Sequence, residues 1–230
     1  MSKIDLSGID LIILDFDGPI NNLMQGKIAA TKTLCQLLKI KLSQKALTRI
    51  INYIDQIWEL KRITDYQRVL KYVLKQLKEQ GLIEMNRGQA DYFIKNFSFF
   101  LITKQSCNTD LIKIIQKIKK QHSKIKICIY SRQTKTDIQI FLKKFRIDIS
   151  LFDGIYSRGD FDEPKPSIKN LERICEKLKT VPKRTVMIGD NIVVDLMPAK
   201  FLGMRTILYS KLVDYYIKSS QDLKSIFKKI

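Results

Sequence analysis

The chain has 230 residues, 45% hydrophobic and 28% charged, with nine Gly and five Pro, which excludes disordered and collagen-like proteins and allows a sizeable core. Its 42 Lys and Arg against 23 Asp and Glu leave a formal charge of +19, a field that attracts phosphates, nucleic acid or an anionic membrane surface without bearing on fold. Four separated cysteines without a Cys-x-x-Cys pair, no leader-like N-terminus and no apolar run of about 18 residues point to a reduced, cytoplasmic protein that spans no membrane.

Along the chain, residues 9–14 read first as a buried strand, because the run Leu11-Ile12-Ile13-Leu14 needs cover on both faces. From 21 to 103 no strand is evident. Helical spacing appears instead at 27–38, then on the face Leu47, Ile50, Ile51, Ile54, Ile57 and Trp58. A further face, Tyr66, Val69, Leu70, Val73, Leu74 and Leu77, ends at Gly81, a plausible C-terminal cap, and a weaker helix follows at 90–97. After a helix at 110–119, strands at 125–130, 154–156, 184–188 and 205–208 alternate with helices at 134–145, 167–178 and 192–201. Residues 215–230 read as a basic helix. Strand and helix in this rhythm predict an α/β fold, a doubly wound parallel sheet with its chemistry at the carboxyl ends of the strands. The helical block predicts a small all-helical domain, 21–103, inserted after the first strand of a core made from 1–20 and 104–230.

Four signals stand at strand ends. Asp15-Phe16-Asp17-Gly18-Pro19 places two carboxylates two residues apart, one suited to be nucleophile and metal ligand, the other to exchange a proton. Gly18 lets the backbone close around an anion, and an ordinary turn explains the same residues. Ser131 follows the strand at 125–130, where a hydroxyl can meet a phosphoryl oxygen or start a helix. Lys165 is framed by Pro164 and Pro166, which restrict its backbone, although a loop Lys in a Lys-rich chain is ordinarily solvated. Gly189-Asp190-Asn191, with Asp195 beyond, offers hard oxygen ligands for Mg²⁺, or equally a capped helix start.

In this order the four signals resemble the haloacid dehalogenase-like (HAD) superfamily, in its phosphoglycolate-phosphatase-like branch. Asp15 and Asp17 match the first motif, Ser131 the second, Lys165 the third, and Asp190 with Asp195 the fourth. The stretch Met187-Ile188-Gly189-Asp190 to Phe201-Leu202-Gly203-Met204 adds to the likeness, and the helical block falls at the family's first cap site. The 33 residues between Ser131 and Lys165 leave no room for a second cap. The resemblance implies a Rossmannoid core and a Mg²⁺-dependent phosphatase of small phosphorylated metabolites, working through an aspartyl-phosphate on Asp15. It implies Asp17 as acid and base, with Mg²⁺ on the Asp15 and Asp190 carboxylates and the Asp17 backbone carbonyl, and Asp195 supporting the metal site. Phosphoryl oxygens would meet Phe16, Gly18, Ser131, Arg132 and Lys165. The second carboxylate, Asp17, favours phosphoryl chemistry over dehalogenation. Pro19 departs from the Thr or Val usual in the family, removing a hydroxyl and an N–H.

Other signals are weaker. Trp58, Lys61, Arg62 and Tyr66 are candidates for contacting the organic part or a second anionic group of a substrate, while a lid core explains Trp58 and Tyr66 equally. His122, the one histidine, excludes a His-rich metal site and is expected at an exposed helix end. Alternative readings are a phosphomutase of the same fold, or a basic nucleic-acid-binding or polynucleotide-end-processing relative with weak or no small-molecule turnover.

Overall fold

A computed structural model of the chain describes residues 7–61 and 66–209, with backbone only for 58–61. Arg62 and the basic stretch 215–230 lie outside the described residues, as do the side chains of Trp58 and Lys61. Two units are separable: residues 1–22 with 107–230, and residues 23–106.

The first unit carries five strands, β1 (Leu11–Leu14), β2 (Lys126–Tyr130), β3 (Gly154–Tyr156), β4 (Thr185–Gly189) and β5 (Arg205–Leu208). They form one sheet in the order β3-β2-β1-β4-β5, parallel at every pairing. Alternation along the strands sends side chains to two cores. Ile12, Leu14, Ile127, Ile129, Val186 and Ile188 face one core, shared with helices α5 (Thr109–Gln121) and α6 (Lys135–Lys144). Leu11, Ile13, Cys128, Tyr130 and Met187 face the other, shared with α7 (Ile168–Lys177) and α8 (Met197–Phe201). Unbroken apolar runs are therefore what a centrally placed parallel strand requires. Leu14 pairs with Ile129 on one side and Ile188 on the other. That register brings the residues just after β1, β2 and β4 to one edge.

The second unit is all helical, α1 (Leu23–Leu37), α2 (Gln44–Lys61), α3 (Tyr66–Glu79) and α4 (Arg87–Lys104). Its own core joins Leu34, Ile50, Ile54, Leu70, Val73, Leu77, Phe93 and Phe97. The fourth helix is longer than the 90–97 expected. Asn86 and Gln89 form a reciprocal capping box that starts it early, and Phe97 and Leu101 anchor its far end. Lys27 of α1 is buried and ion-paired with Asp55 of α2.

One expected helix differs in kind. Residues 192–201 open as a π turn, Ile192–Leu196, before α8 begins. Pro198 has no N–H to donate to Val194, and the Met197 N–H reaches Ile192 O instead, which widens the turn. His122 also departs from expectation. It is half-buried, with Nε2 closed off from solvent, because it caps α5 where the chain turns into β2. Among the described residues, no helix is long and apolar enough to cross a membrane.

Candidate active site

Everything at the carboxyl edge of the sheet is built on the strand ends just described. Asp15 follows β1, the central strand, and its backbone N–H donates to Ile188 O of β4 at 2.8 Å. The residue is 9% exposed, and its carboxylate accepts a 2.9 Å hydrogen bond from Lys165 Nζ. The same ammonium donates to Asp195 Oδ1 at 2.9 Å and sits 4.4 Å from the Tyr130 ring centroid. Tyr130 is itself held through its hydroxyl by Asn170 Nδ2 at 3.0 Å, and that amide also donates to Glu163 O at 2.7 Å. Lys165 is thus fixed by two carboxylates, an aromatic face and the turn that precedes α7.

The π turn explains how Asp195 gets there. Asn191 accepts from the N–H groups of Val193 and Val194, and the widened turn leaves Asp195 pointing under the end of β4. Gly189 makes the space, since a Cβ there would lie 2.6 Å from Asp195 Cβ. Asp15, Asp190 and Asp195 then form a cluster whose oxygens all lie within 4.8 Å of one another.

Three carboxylates around one ammonium leave an excess of negative charge. Burial first, then Asp195, push the Asp15 carboxyl well above the usual range, against the opposing pull of Lys165. Asp190 is raised to about 7, by loss of hydration first and then by Asp195 and Asp17; it keeps an open side to solvent, which moderates both. Burial alone would lower Lys165, but Asp15 and Asp195 hold it above the ordinary lysine range. An all-carboxylate, oxygen-only set that disfavours its own ionisation fits a hard divalent cation.

A carboxyl whose folded value is raised binds more protons folded than unfolded, so stability falls as pH climbs from about 4 towards about 7. Metal-free protein should therefore lose stability between pH 5 and 8 more steeply than Asp190→Asn, in urea titrations at each pH. Equal slopes would show that Asp190 does not carry this charge strain.

Asp17 is held by two side-chain amides. Asn21 Nδ2 donates to its Oδ1 at 2.9 Å and Gln133 Nε2 to its Oδ2 at 3.0 Å. Gly18 has φ +93°, and a Cβ there would fall 2.2 Å from Asp190 Oδ2. Its N–H donates to Asn21 O within the turn, while the Pro19 carbonyl accepts from Asn108 Nδ2 at 3.0 Å. Gly18→Ala should cost about 1–2 kcal/mol from backbone strain and displace Asp190. Thermal unfolding with and without Mg²⁺ checks this, a stabilisation by Mg²⁺ as large as wild type being the contrary result.

Ser131 is buried, its N–H donating to Tyr156 O at 2.9 Å and its hydroxyl accepting from the Gln133 N–H at 3.1 Å. Arg132 is half-buried beside it. The Phe16 ring faces away from this edge into the first core, edge-on to Phe141 at 5.0 Å, so that only its backbone N–H is a candidate for a phosphoryl oxygen. Tyr66 belongs to the helical unit, packed against Phe97 at 5.6 Å. Gln133, Asn21, Tyr130 and Asn170 were not singled out from sequence. Gln133 alone had a usable signal, its place two residues after Ser131 at a strand end.

Comparison with known proteins agrees with this architecture. The family model of the haloacid dehalogenase-like hydrolases matches residues 12–209, and the chain belongs to that family. The pyrophosphatase PpaX of Bacillus mycoides (strain KBAB4) is 27% identical over 127 residues, 50% of this chain, and the match spans only 57% of that relative's length. Among solved structures, the HAD-hydrolase YfnB of Bacillus subtilis, bound to magnesium, superposes with a TM-score of 0.76 at 16% identity, over 96% of this chain and 99% of that one. A predicted phosphoglycolate phosphatase from Haemophilus somnus 129pt gives a TM-score of 0.65 at 18% identity, over 96% and 98% of the two chains. At these identities the two structures share the fold with this chain.

Proposed function

We propose that this hydrolase is a Mg²⁺-dependent phosphatase of small phosphorylated metabolites, acting through an aspartyl-phosphate on Asp15. The observation that carries the reading is the buried Asp15 carboxylate held at 2.9 Å by Lys165, with a second carboxylate, Asp17, held separately two residues on. Asp15, Asp190 and Asp195, with the Asp17 backbone carbonyl, would hold the cation. When bound, Mg²⁺ supplies positive charge that offsets the phosphoryl charge beside Asp15.

In the first half-reaction an Asp15 oxygen bonds phosphorus as the ester P–O bond breaks, and Asp17 gives a proton to the leaving oxygen. In the second, Asp17 takes a proton from a water whose oxygen bonds phosphorus, the bond to Asp15 breaks, and phosphate departs. Lys165 keeps Asp15 oriented, and Ser131 and Arg132 would meet the equatorial oxygens. A cytoplasmic setting suits the four free cysteines.

The test is release of phosphate from 4-nitrophenyl phosphate with and without Mg²⁺. Metal-dependent release supports the reading and directs a screen of phosphorylated metabolites, starting with pyrophosphate and phosphoglycolate, which the relatives' names suggest. No release from folded, Mg²⁺-supplied protein across that screen counts against it.

A further inference from the structure

Each of the two carboxylates after β1 accepts hydrogen bonds that fix its direction. Asp15 meets an ammonium, Lys165 Nζ at 2.9 Å. Asp17 meets two neutral amides, one on each oxygen, from Asn21 at 2.9 Å and Gln133 at 3.0 Å. Both amide-bearing residues are pinned through their main chains. Asn21 is fully buried; its N–H donates to Phe16 O at 2.8 Å, and its O accepts from the Gly18 N–H at 2.8 Å. Gln133 donates its N–H to Ser131 Oγ at 3.1 Å, and its O accepts from the Arg158 N–H at 3.0 Å. A side chain rooted in so constrained a backbone keeps its amide in one place.

We infer that Gln133, together with Asn21, is a positioning residue that aims the Asp17 carboxyl at the leaving oxygen. Its contribution grows with the basicity of that leaving group. The inference rests on the phosphatase reading above. The physical reason is alignment: a group that passes a proton out and takes one back works in one orientation, and a donor on each carboxylate oxygen sets that orientation. Proton delivery matters most when the departing oxygen is strongly basic, as in an alkyl or methoxyphenyl ester. It matters least when the leaving group is already a stable anion, as in a nitrophenyl ester.

The balance of the step is unchanged by Gln133. The proton still leaves Asp17 for the ester oxygen as the bond to phosphorus breaks, and the amide N–H stays with Gln133 throughout. What is lost without it is alignment, and misplacing a proton donor by about an ångström costs on the order of 10²-fold.

The experiment is a leaving-group series, substituted phenyl phosphates from nitro to methoxy, with the full chain and Mg²⁺. The proteins are wild type, Gln133→Leu, Gln133→Ala and Asp17→Asn. Gln133→Leu should lose about 10–100-fold in kcat on the methoxyphenyl ester, stay near wild type on the nitrophenyl ester, and keep KM within about twofold. Asp17→Asn should show the same dependence more steeply. Equal slowing of every ester by both Gln133 variants, or their loss of fold, makes Gln133 merely structural and overturns the proposal. A flat Asp17→Asn series removes the acid role itself, and absence of wild-type turnover across the series removes the phosphatase reading; each takes this inference with it. A steep Asp17→Asn series beside a flat Gln133 series overturns the positioning role alone.

Discussion

Asp15→Asn should leave a folded protein whose phosphatase turnover is lower by at least about 10⁴-fold, because an amide keeps the shape of the carboxylate but cannot form the acyl phosphate. The fold should not suffer. Asp15 is buried beside Asp195, and its carboxyl is raised, so its ionised form opposes folding at neutral pH. The neutral amide relieves that repulsion while its oxygen can still accept from Lys165. Metal-free Asp15→Asn should therefore unfold at the same temperature as wild type or higher at pH 8, and gain less from added Mg²⁺. Steady-state hydrolysis of an aryl phosphate and parallel thermal unfolding check both halves. Retention of turnover within about tenfold would mean that water, and not Asp15, attacks phosphorus.

Lys165→Met should produce the largest loss of stability of any single change at the site. The side chain of Lys165 is 2% exposed and that of Asp195 1%, so both charges are shielded from bulk water. Met fills the aliphatic stem but leaves Asp15 and Asp195 buried without a counter-charge. Breaking a buried pair in this way costs about 3–5 kcal/mol, more than a surface pair can. The deficit should narrow in two ways. Added Mg²⁺ supplies positive charge to the same carboxylates, and lowering the pH from 8 to 5 protonates groups whose values are already raised. Urea denaturation at both pH values, with and without Mg²⁺, measures this. A variant as stable as wild type in metal-free buffer at pH 8 would show that the Lys165 ammonium is not a needed counter-charge for these carboxylates.

The strands and the carboxylates beyond them were legible in the sequence for one reason. A parallel strand buried on both faces is apolar almost throughout, so Leu11–Leu14, Lys126–Tyr130 and Thr185–Gly189 stand out locally and their ends mark where polar residues emerge. Asp15, Asp17, Ser131 and Asp190 are therefore found by reading forward from a run. Lys165 is different. It sits 150 residues from its partner Asp15 on a loop without periodicity; its flanking prolines and the resemblance of the four motifs point to it, and neither names the partner. The helical stripes of the second unit are readable in the same local way, yet the expected 90–97 is shorter than α4, because the apolar face of that helix is interrupted and its start depends on a capping box.

What the tertiary structure alone decided is who touches whom. The π turn at Ile192–Leu196 is what swings Asp195 to Lys165, and it arises from Pro198 and Asn191 acting on hydrogen bonds, which hydrophobic spacing does not record. Gln133 lies 116 residues from Asp17, and a lone amide after a strand has many ordinary uses. Composition and periodicity report how each segment is buried; hydrogen-bond partners across the sheet are set by register, which exists only once β1, β2 and β4 lie side by side.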